Sequence, residues 1–265
     1  TYGFFEATPV DALYRQHGVD FQAAEKPLLD MMPTLAALPL LSQPGEEWNY
    51  SVATDILGAL VEVISGVPFA RFVRERILGP LGMHDTDFFV KPDNHARLAA
   101  NYTRSRTGGL HLIDDPATSR FLKSPVLTSG GGGLVSTIAD YYRFTSFLRN
   151  RGELDGVRLL GRKTVEFMTL NHLRGDMADM GQPRFSESSF AGIGFGLGFS
   201  VMIDPAKAEI VGSPGEHAWG GAASTAFWID PVEDMTVILL TQLLPSSTYP
   251  LRRQLRVLSY QAITD

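Results

Sequence analysis

Residues 44–66 read PGEEWNYSVATDILGALVEVISG and place the tripeptide Tyr50-Ser51-Val52 directly before a strongly apolar segment. Apolar side chains recur in this segment at helical spacing, namely at Ile56, Leu57, Leu60, Val61 and Ile64. Gly66 follows them, and glycine readily adopts the left-handed conformation that ends many helices. The pattern therefore predicts a core helix between Val52 and Gly66, with Tyr50 in the loop that enters it.

Helix signals lie on both sides of this segment. Upstream, Thr8-Pro9-Val10-Asp11 combines a threonine cap, a proline at the first helical position and an acid three residues after the cap. Gly18 marks the end of that helix. Downstream, Pro68 begins a further helix, which Gly79-Pro80 closes.

The last third of the chain has the pattern of antiparallel strands. Glycines alternate with apolar residues over 192–199. Strands are predicted over 196–203, 207–211, 223–229 and 235–241. Asp-Pro turns at 204–205 and 230–231 separate two pairs of them.

A helix is predicted from about Pro250 to the end of the chain. Its apolar residues fall roughly on one face and are Leu251, Leu255, Leu258 and Ile263. Its arginines, Arg252, Arg253 and Arg256, are expected to lie in water. Helical blocks followed by an antiparallel sheet predict the α+β class. We place a mainly helical region with the Tyr50 loop at 1–190, and the sheet strands and C-terminal helix at 191–265.

Composition excludes several kinds of site. The chain has 23 basic and 29 acidic residues and a net charge of -6, which disfavours binding to nucleic acid or to an anionic membrane. It has no cysteine, which excludes disulfides and thiolate metal sites but leaves the compartment open. The six histidines show no metal-ligand spacing. No metal or cofactor is expected.

Four blocks of sequence carry a resemblance to a known group of enzymes. They are PGEEWNYSVATDILGALVEVISG, PFARFVRERILGPLGMHDT, SGGGGLVSTIADYYRF and HAWGGAASTAFWIDP. In this order they resemble the serine hydrolases related to class C β-lactamases and D-alanyl-D-alanine peptidases, and most of all the family VIII carboxylesterases. The similarity runs from about Tyr2 to the C-terminus. It implies a β-lactamase/penicillin-binding-protein-like fold, with an antiparallel sheet flanked by helices beside a helical region.

The nucleophile of that group is the serine of an S-x-x-K motif, and no serine of this chain is followed by lysine three residues later. No G-x-S-x-G elbow is present either. We therefore expect an N-terminal part upstream of Thr1 that carries the serine and lysine. In this group that part also supplies a helix and strands to the sheet. The chain alone is expected to expose apolar surface and a strand edge, and to fold poorly unaided.

Tyr50 matches the tyrosine of the Y-x-N motif of this group. The resemblance implies that it takes the proton from the serine and passes it to the leaving group. A phenol with a pKa of about 10 is a poor base at neutral pH, so it needs a nearby positive charge. The lysine of S-x-x-K is the natural source. Without that lysine, Tyr50 is expected to stay protonated.

Trp219-Gly220-Gly221 lies where the β-lactamases and peptidases carry K-T-G on a strand at the sheet edge. By resemblance, the amide of Ala222 would be one of two oxyanion donors. Trp219 offers an apolar wall in place of the lysine that binds a substrate carboxylate, and Val52 replaces the asparagine of Y-x-N. Both changes favour a neutral ester over a charged lactam.

His217 is the histidine nearest this motif and makes a Ser-His-Asp triad the obvious rival mechanism. Its two-residue separation from Trp219 would place both side chains on one strand face. Its role could be packing, hydrogen bonding or substrate contact.

These residues together predict a carboxylesterase that cleaves short-chain neutral esters through an acyl-enzyme. A β-lactamase or D-alanyl-D-alanine peptidase is the alternative, and an acyltransferase is a third variant. From another class, the chain could belong to a non-catalytic relative that binds acyl ligands or proteins. The oligomeric state stays open.

Overall fold

A computed structural model of the chain describes residues 1–19, 21, 25–179 and 190–264. The chain divides into two compact units. The first comprises Thr1–His95 and Arg120–Thr137, and the second comprises Ala96–Ser119 and Ile138–Asp265. The predicted region boundary at 190/191 borders residues 180–189, which lie outside the described residues, and it stays a prediction.

The first unit is helical. Its α-helices are α1 (Pro9–Gln16), α2 (Leu28–Ala36), α3 (Ala53–Ser65) and α4 (Phe69–Val73). A π-helical turn, Arg74–Leu78, continues α4, and short 3-10 turns occupy Gly3–Phe5 and Arg120–Leu122. A further 3-10 turn, Pro92–Arg97, spans the boundary at which the first unit ends in the chain. The predicted starts of α1 and α4 and the predicted end of α3 at Gly66 are confirmed.

The start of α1 shows why the sequence signal was strong. The Thr8 hydroxyl accepts a hydrogen bond from the Asp11 N–H at 3.2 Å, and the Asp11 carboxylate accepts one from the Thr8 N–H at 2.8 Å. Together with Pro9 these contacts satisfy donors that the first turn would otherwise leave unpaired.

Helix α3 forms where predicted but buries a different face. Its buried residues are Asp55, Gly58 and Ala59. Ile56, Leu57, Leu60 and Ile64 are instead exposed, by 38 to 82%. The small residues allow close approach, since a Cβ added at Gly58 would lie 3.3 Å from Leu28 and 3.5 Å from Phe69. The predicted burial of the large apolar face is therefore wrong for the described residues.

The second unit contains the sheets. Its strands are β1 (Asn101–Arg104), β2 (Leu110–Asp114), β3 (Glu153–Leu154), β4 (Val157–Arg158), β5 (Ile193–Phe195), β6 (Ser200–Met202), β7 (His217–Gly220), β8 (Ala226–Asp230), β9 (Met235–Leu239) and β10 (Leu243–Leu244). Its helices are α5 (Ile138–Arg149), α6 (Arg162–Met168), α7 (Pro205–Ala208) and α8 (Leu251–Gln261).

The main sheet has five antiparallel strands in the order β5-β6-β7-β8-β9. Strand β7 is therefore interior, between β6 and β8, which corrects its expected place at the sheet edge. All five residues of β8 are buried. Tyr141 of α5 packs edge-on against Phe227 of β8, with ring centroids 5.4 Å apart, so α5 contacts one face of the sheet.

The predicted strand over 207–211 is wrong. Residues 205–208 form the short helix α7 instead, because Asp204 caps it by accepting a hydrogen bond from the Lys207 N–H at 3.0 Å. Pro205 occupies its first turn. A capping residue followed by proline is a signal for a helix start. At this position that signal, and not the strand pattern predicted from the sequence, determines the structure.

Helix α8 packs through polar side chains. Arg252, Arg256 and Tyr260 recur four residues apart, and each donates hydrogen bonds to groups of the main sheet or the loops beside it. The guanidinium of Arg256 also lies 4.5 Å from the ring centroid of Trp228. The expectation that Arg252 and Arg256 lie in water is therefore wrong, because their ends contact buried oxygen atoms.

Within the described residues no single helix is long and apolar enough to cross a membrane. The pair Ala53–Ser65 and Phe69–Leu78, bent by 82°, meets the length and composition requirements only when taken together.

Candidate active site

Tyr50 lies in the loop before α3, in the first unit, and its ring packs among other aromatic rings. The centroids of Tyr2 and Phe5 lie 5.2 and 5.8 Å from it. Burial raises the pKa of the Tyr50 phenol, and the nearby charge of Asp55 raises it further. In this environment the phenol holds its proton at neutral pH, so its use as a base requires an added positive charge.

Asp55 is a fully buried carboxyl group in the first turns of α3. Its Oδ1 accepts hydrogen bonds from the Ser129 hydroxyl at 2.5 Å and from the Gly131 N–H at 3.4 Å. Burial raises the pKa of Asp55, while these hydrogen bonds act in the opposite direction. The carboxyl group ties the glycine run to the helix that follows Tyr50.

Close approach to α3 accounts for the glycine at position 130 of the run 130–133. A Cβ added at Gly130 would lie 2.1 Å from the Thr54 carbonyl oxygen. At Gly131 it would lie 2.8 Å from the hydroxyl groups of Thr54 and Tyr2. The contact at Gly130 is with helix backbone, so this glycine is required by packing against α3. The contacts at Gly131 are with the ends of side chains, which would have to shift to admit a side chain there.

Val52 belongs to the core of the first unit. Its side chain is only 3% exposed and is part of a cluster with Val10, Leu28 and Ala59. Its predicted part in the substrate-binding site stays a prediction.

Trp219 and His217 lie on β7 in the second unit. The Trp219 ring makes an edge contact with Phe195, with centroids 5.5 Å apart, and is half-buried. His217 is buried and packs edge-on against Phe199 at 5.6 Å. Its Nδ1 lies 3.3 Å from the Gly215 carbonyl oxygen.

The environment of His217 favours a neutral imidazole. Burial lowers its pKa, and the Gly215 contact and the charge of Asp230 offset this only in part. Among the described residues, Nε2 of His217 has no hydrogen-bond partner. The structure thus gives His217 a packing position rather than a hydrogen bond to a carboxylate, which the triad alternative would require.

A tight turn connects β7 to β8 and contains the remaining predicted residues. The Ser224 N–H donates to the Gly221 carbonyl at 3.2 Å, which makes Ala222 the second residue of the turn. The Gly221 N–H donates to the Thr225 carbonyl at 3.0 Å. Ala222 is exposed, and its N–H donates to no backbone carbonyl among the described residues.

The far side of the turn is anchored to β10. Ser224 is buried and its hydroxyl donates to the Leu243 carbonyl at 2.7 Å. The Thr241 hydroxyl and the Leu243 N–H both donate to the Ala223 carbonyl, at 2.9 and 3.1 Å. These bonds hold the turn in one conformation.

Sequence reasoning missed a buried polar cluster at the end of the β7–β8 hairpin opposite this turn. Glu216, next to β7, accepts hydrogen bonds from Arg256 and, at 2.7 Å, from the Tyr260 hydroxyl. The same hydroxyl contacts Asp230 at 2.5 Å. Burial raises the pKa of Tyr260, as do both carboxyl groups. The four-residue spacing of Arg252, Arg256 and Tyr260 was the available signal, because it places all three on one helix face.

A model of the family described as Beta-lactamase matches residues 3–261. The protein Rv1367c of Mycobacterium tuberculosis (strain ATCC 25618 / H37Rv) is 35% identical, with 92% of this chain and 59% of that protein covered. Esterase EstB of Burkholderia gladioli is 30% identical, with 87% and 58% covered. The chain spans about three fifths of the length of these relatives.

The solved structure of EstCE1, described as a hydrolase with promiscuous acyltransferase activity, matches with a TM-score of 0.81 and 26% identity. The match covers 96% of this chain and 67% of that one. These similarities confirm the predicted α+β fold of β-lactamase type. They also confirm the resemblance to the β-lactamase-like serine hydrolases, among them an esterase.

Proposed function

The chain belongs to the beta-lactamase family, and from this we propose that it is part of a serine carboxylesterase that cleaves short-chain neutral esters. The reaction would pass through an acyl-enzyme. The serine and lysine of an S-x-x-K motif would come from a segment of the full-length protein that precedes Thr1.

The turn between β7 and β8 carries this proposal. Its small residues, Gly220, Gly221 and Ala222, leave room for an acyl group close to the backbone. The N–H and C=O of Gly221 are both engaged by hydrogen bonds, whereas the exposed Ala222 N–H is available to a developing oxyanion. Losing one such donor typically costs about 2.7 to 4 kcal/mol of transition-state stabilisation.

Tyr50 would move the proton in both halves of the reaction. The serine oxygen bonds to the ester carbonyl carbon as its proton passes to Tyr50, and Tyr50 then protonates the departing alkoxide. Water repeats the sequence to release the acid. Because burial and Asp55 raise the pKa of Tyr50, the lysine ammonium must supply the opposing charge.

The substrate preference rests on Trp219. A lysine at this position would bind a substrate carboxylate through a charge-assisted contact worth about 1.5 to 3 kcal/mol. Trp219 and its partner Phe195 present aromatic surface instead. This aromatic surface favours binding of a neutral acyl or alkyl group.

Acyl transfer to an alcohol in place of water is a second candidate. The similarity to EstCE1, a hydrolase with promiscuous acyltransferase activity, favours testing it. Added alcohol would then compete with water and yield a new ester from the same acyl-enzyme.

The test compares p-nitrophenyl butyrate with a chromogenic cephalosporin, using the full-length protein. We expect turnover of the ester to dominate and Tyr50→Phe to lose at least about 100-fold in kcat, in the range of a lost general acid or base. Tyr142→Phe is the matched control, because Tyr142 is exposed on α5. Preferred turnover of the cephalosporin would instead favour a β-lactamase. Absence of both activities would favour a non-catalytic relative that binds acyl ligands or proteins.

A further inference from the structure

We propose that Arg252 is a positioning residue that orients the Ala222 N–H toward the oxyanion. This inference rests on the proposed esterase function and adds a residue to it. Arg252 lies at the start of α8, outside the four sequence blocks that carry the resemblance.

The guanidinium of Arg252 binds the turn directly. Its Nη2 donates to the Gly221 carbonyl at 2.6 Å and to the Thr225 carbonyl at 2.8 Å. The Gly221 carbonyl thus accepts from both Arg252 and the Ser224 N–H. With both acceptor directions occupied, this carbonyl has little freedom to rotate.

Peptide geometry transmits this constraint to Ala222. The Gly221 C=O and the Ala222 N–H belong to one peptide unit, which is planar and trans, so they point in opposite directions. Holding the carbonyl toward Arg252 therefore holds the N–H away from α8. A turn without this contact could rotate the peptide and lose the donor.

The positive charge of Arg252 also strengthens the donor. A cation at the carbonyl oxygen polarises the peptide bond and increases the partial positive charge on its N–H. Electrostatic stabilisation of an oxyanion depends on donors whose orientation is fixed before the reaction. Arg252 would supply both the orientation and the polarisation without touching the substrate.

The glycine at position 220 fits this arrangement. A Cβ there would lie 2.8 Å from Cζ and Nη2 of Arg252 and 2.8 Å from the Thr225 carbonyl oxygen. A side chain would displace the guanidinium from the turn. Gly220 is thus required by the Arg252 contact as well as by access of the substrate.

The test uses Arg252→Met in the full-length protein, with Arg253→Met as the matched control. Arg253 is the exposed neighbouring arginine and donates to Glu209, away from the turn. The readouts are kcat and KM for p-nitrophenyl butyrate, and the inhibition constant of an alkyl trifluoromethyl ketone of matched chain length. This ketone forms a tetrahedral oxyanion on the serine, whereas KM largely follows the trigonal ester.

For Arg252→Met we expect kcat/KM and ketone affinity to fall together by about 10- to 100-fold, less than the loss of a whole donor. KM should change by no more than about threefold, because the ester makes no contact with Arg252. Arg252→Lys should recover part of the loss, since an ammonium can donate to both carbonyls. Arg253→Met should match the wild type.

Unchanged kcat and ketone affinity in folded Arg252→Met would overturn the inference. A fall in kcat/KM that comes entirely from a rise in KM, with kcat unchanged, would also overturn it, because it would indicate lost binding of the ground-state ester. If Arg252→Met fails to fold, Arg252→Gln, whose side chain is shorter and uncharged, decides: wild-type ketone affinity contradicts the inference, and a selective loss supports it. A wild-type protein without ester turnover or a serine adduct would refute the proposed function itself, and the inference with it.

Discussion

Replacing Gly130 by alanine should destabilise the first unit through one defined contact. The new Cβ would lie 2.1 Å from the Thr54 carbonyl oxygen and 2.9 Å from the Thr54 carbonyl carbon. Because a carbon and an oxygen atom in contact are separated by about 3.3 Å, the loop that contains Gly130 must move away from α3 by about 1.2 Å. Both clashing atoms belong to the backbone of a helix, so the helix cannot yield as a side chain would.

This retreat would break the contacts of Asp55. The Ser129 hydroxyl now lies 2.5 Å from Asp55 Oδ1, and lengthening by the same amount takes it beyond the hydrogen-bonding range of about 3.2 Å. Overpacking costs about 1 to 3 kcal/mol, and loss of a hydrogen bond to a buried carboxyl costs a similar amount. The two effects overlap, so we expect a total loss of about 3 kcal/mol.

Urea denaturation of the full-length protein would measure this loss, with Gly132→Ala as the matched control. A Cβ at Gly132 meets no atom within 4 Å, so this variant should stay within about 1 kcal/mol of the wild type. Equal unfolding midpoints for Gly130→Ala and Gly132→Ala would refute the packing account of the glycine run.

Three further substitutions test electrostatic features of the two units. Asp55→Asn removes a charge that raises the pKa of Tyr50, so the acid limb of the pH profile of kcat/KM should move to lower pH; a shift to higher pH would contradict this. Tyr260→Phe removes the donor shared by two buried carboxyl groups and should lower the free energy of unfolding by about 1 to 3 kcal/mol, measured by urea denaturation against the exposed control Tyr249→Phe. Burial would raise the pKa of Asp176, but its hydrogen bonds, including that from Lys207, lower it from 3.8 to about 2. The stabilisation from these hydrogen bonds is present above the pKa of Asp176 in the unfolded chain and is lost as pH falls through its pKa in the folded protein. The difference in free energy of unfolding between wild type and Asp176→Asn should therefore shrink from about pH 4 to about pH 2. A difference that stays constant over this range would refute this account.

Local signals in the sequence predicted the elements whose causes are themselves local. The capping box at Thr8, the stop at Gly66 and the start at Pro68 each depend on residues within one helical turn. Such signals predict the helix end correctly in any tertiary environment that leaves the terminal turn intact.

Features that depend on distant partners were not predictable in this way. The apolar pattern of α3 predicted the wrong buried face, because packing selected the side with Gly58 and Ala59. The arginines of α8 looked like a solvated surface, because their acceptors at Gly221, Thr225 and Glu216 lie 27 to 40 residues away in the chain. Periodicity identifies a helix face but not the groups that it meets.

The same distinction between local and distant causes applies to the residues of the candidate site. The positions of Tyr50 and Trp219 followed from the resemblance, and the structure places them in a loop before α3 and on β7. The burial of Val52 and the contact of Arg252 with the turn could not be predicted from the sequence, because each depends on packing against distant residues of the same unit.

Labelling with a fluorophosphonate probe is the most direct test of the central claim, a serine nucleophile supported by Tyr50. The full-length protein would be treated with the probe, and its intact mass and modified peptide determined. We expect one adduct, on the serine of an S-x-x-K motif upstream of Thr1, formed much more slowly in Tyr50→Phe. An unmodified protein, or an adduct on a serine within residues 1–265, would contradict the proposed mechanism.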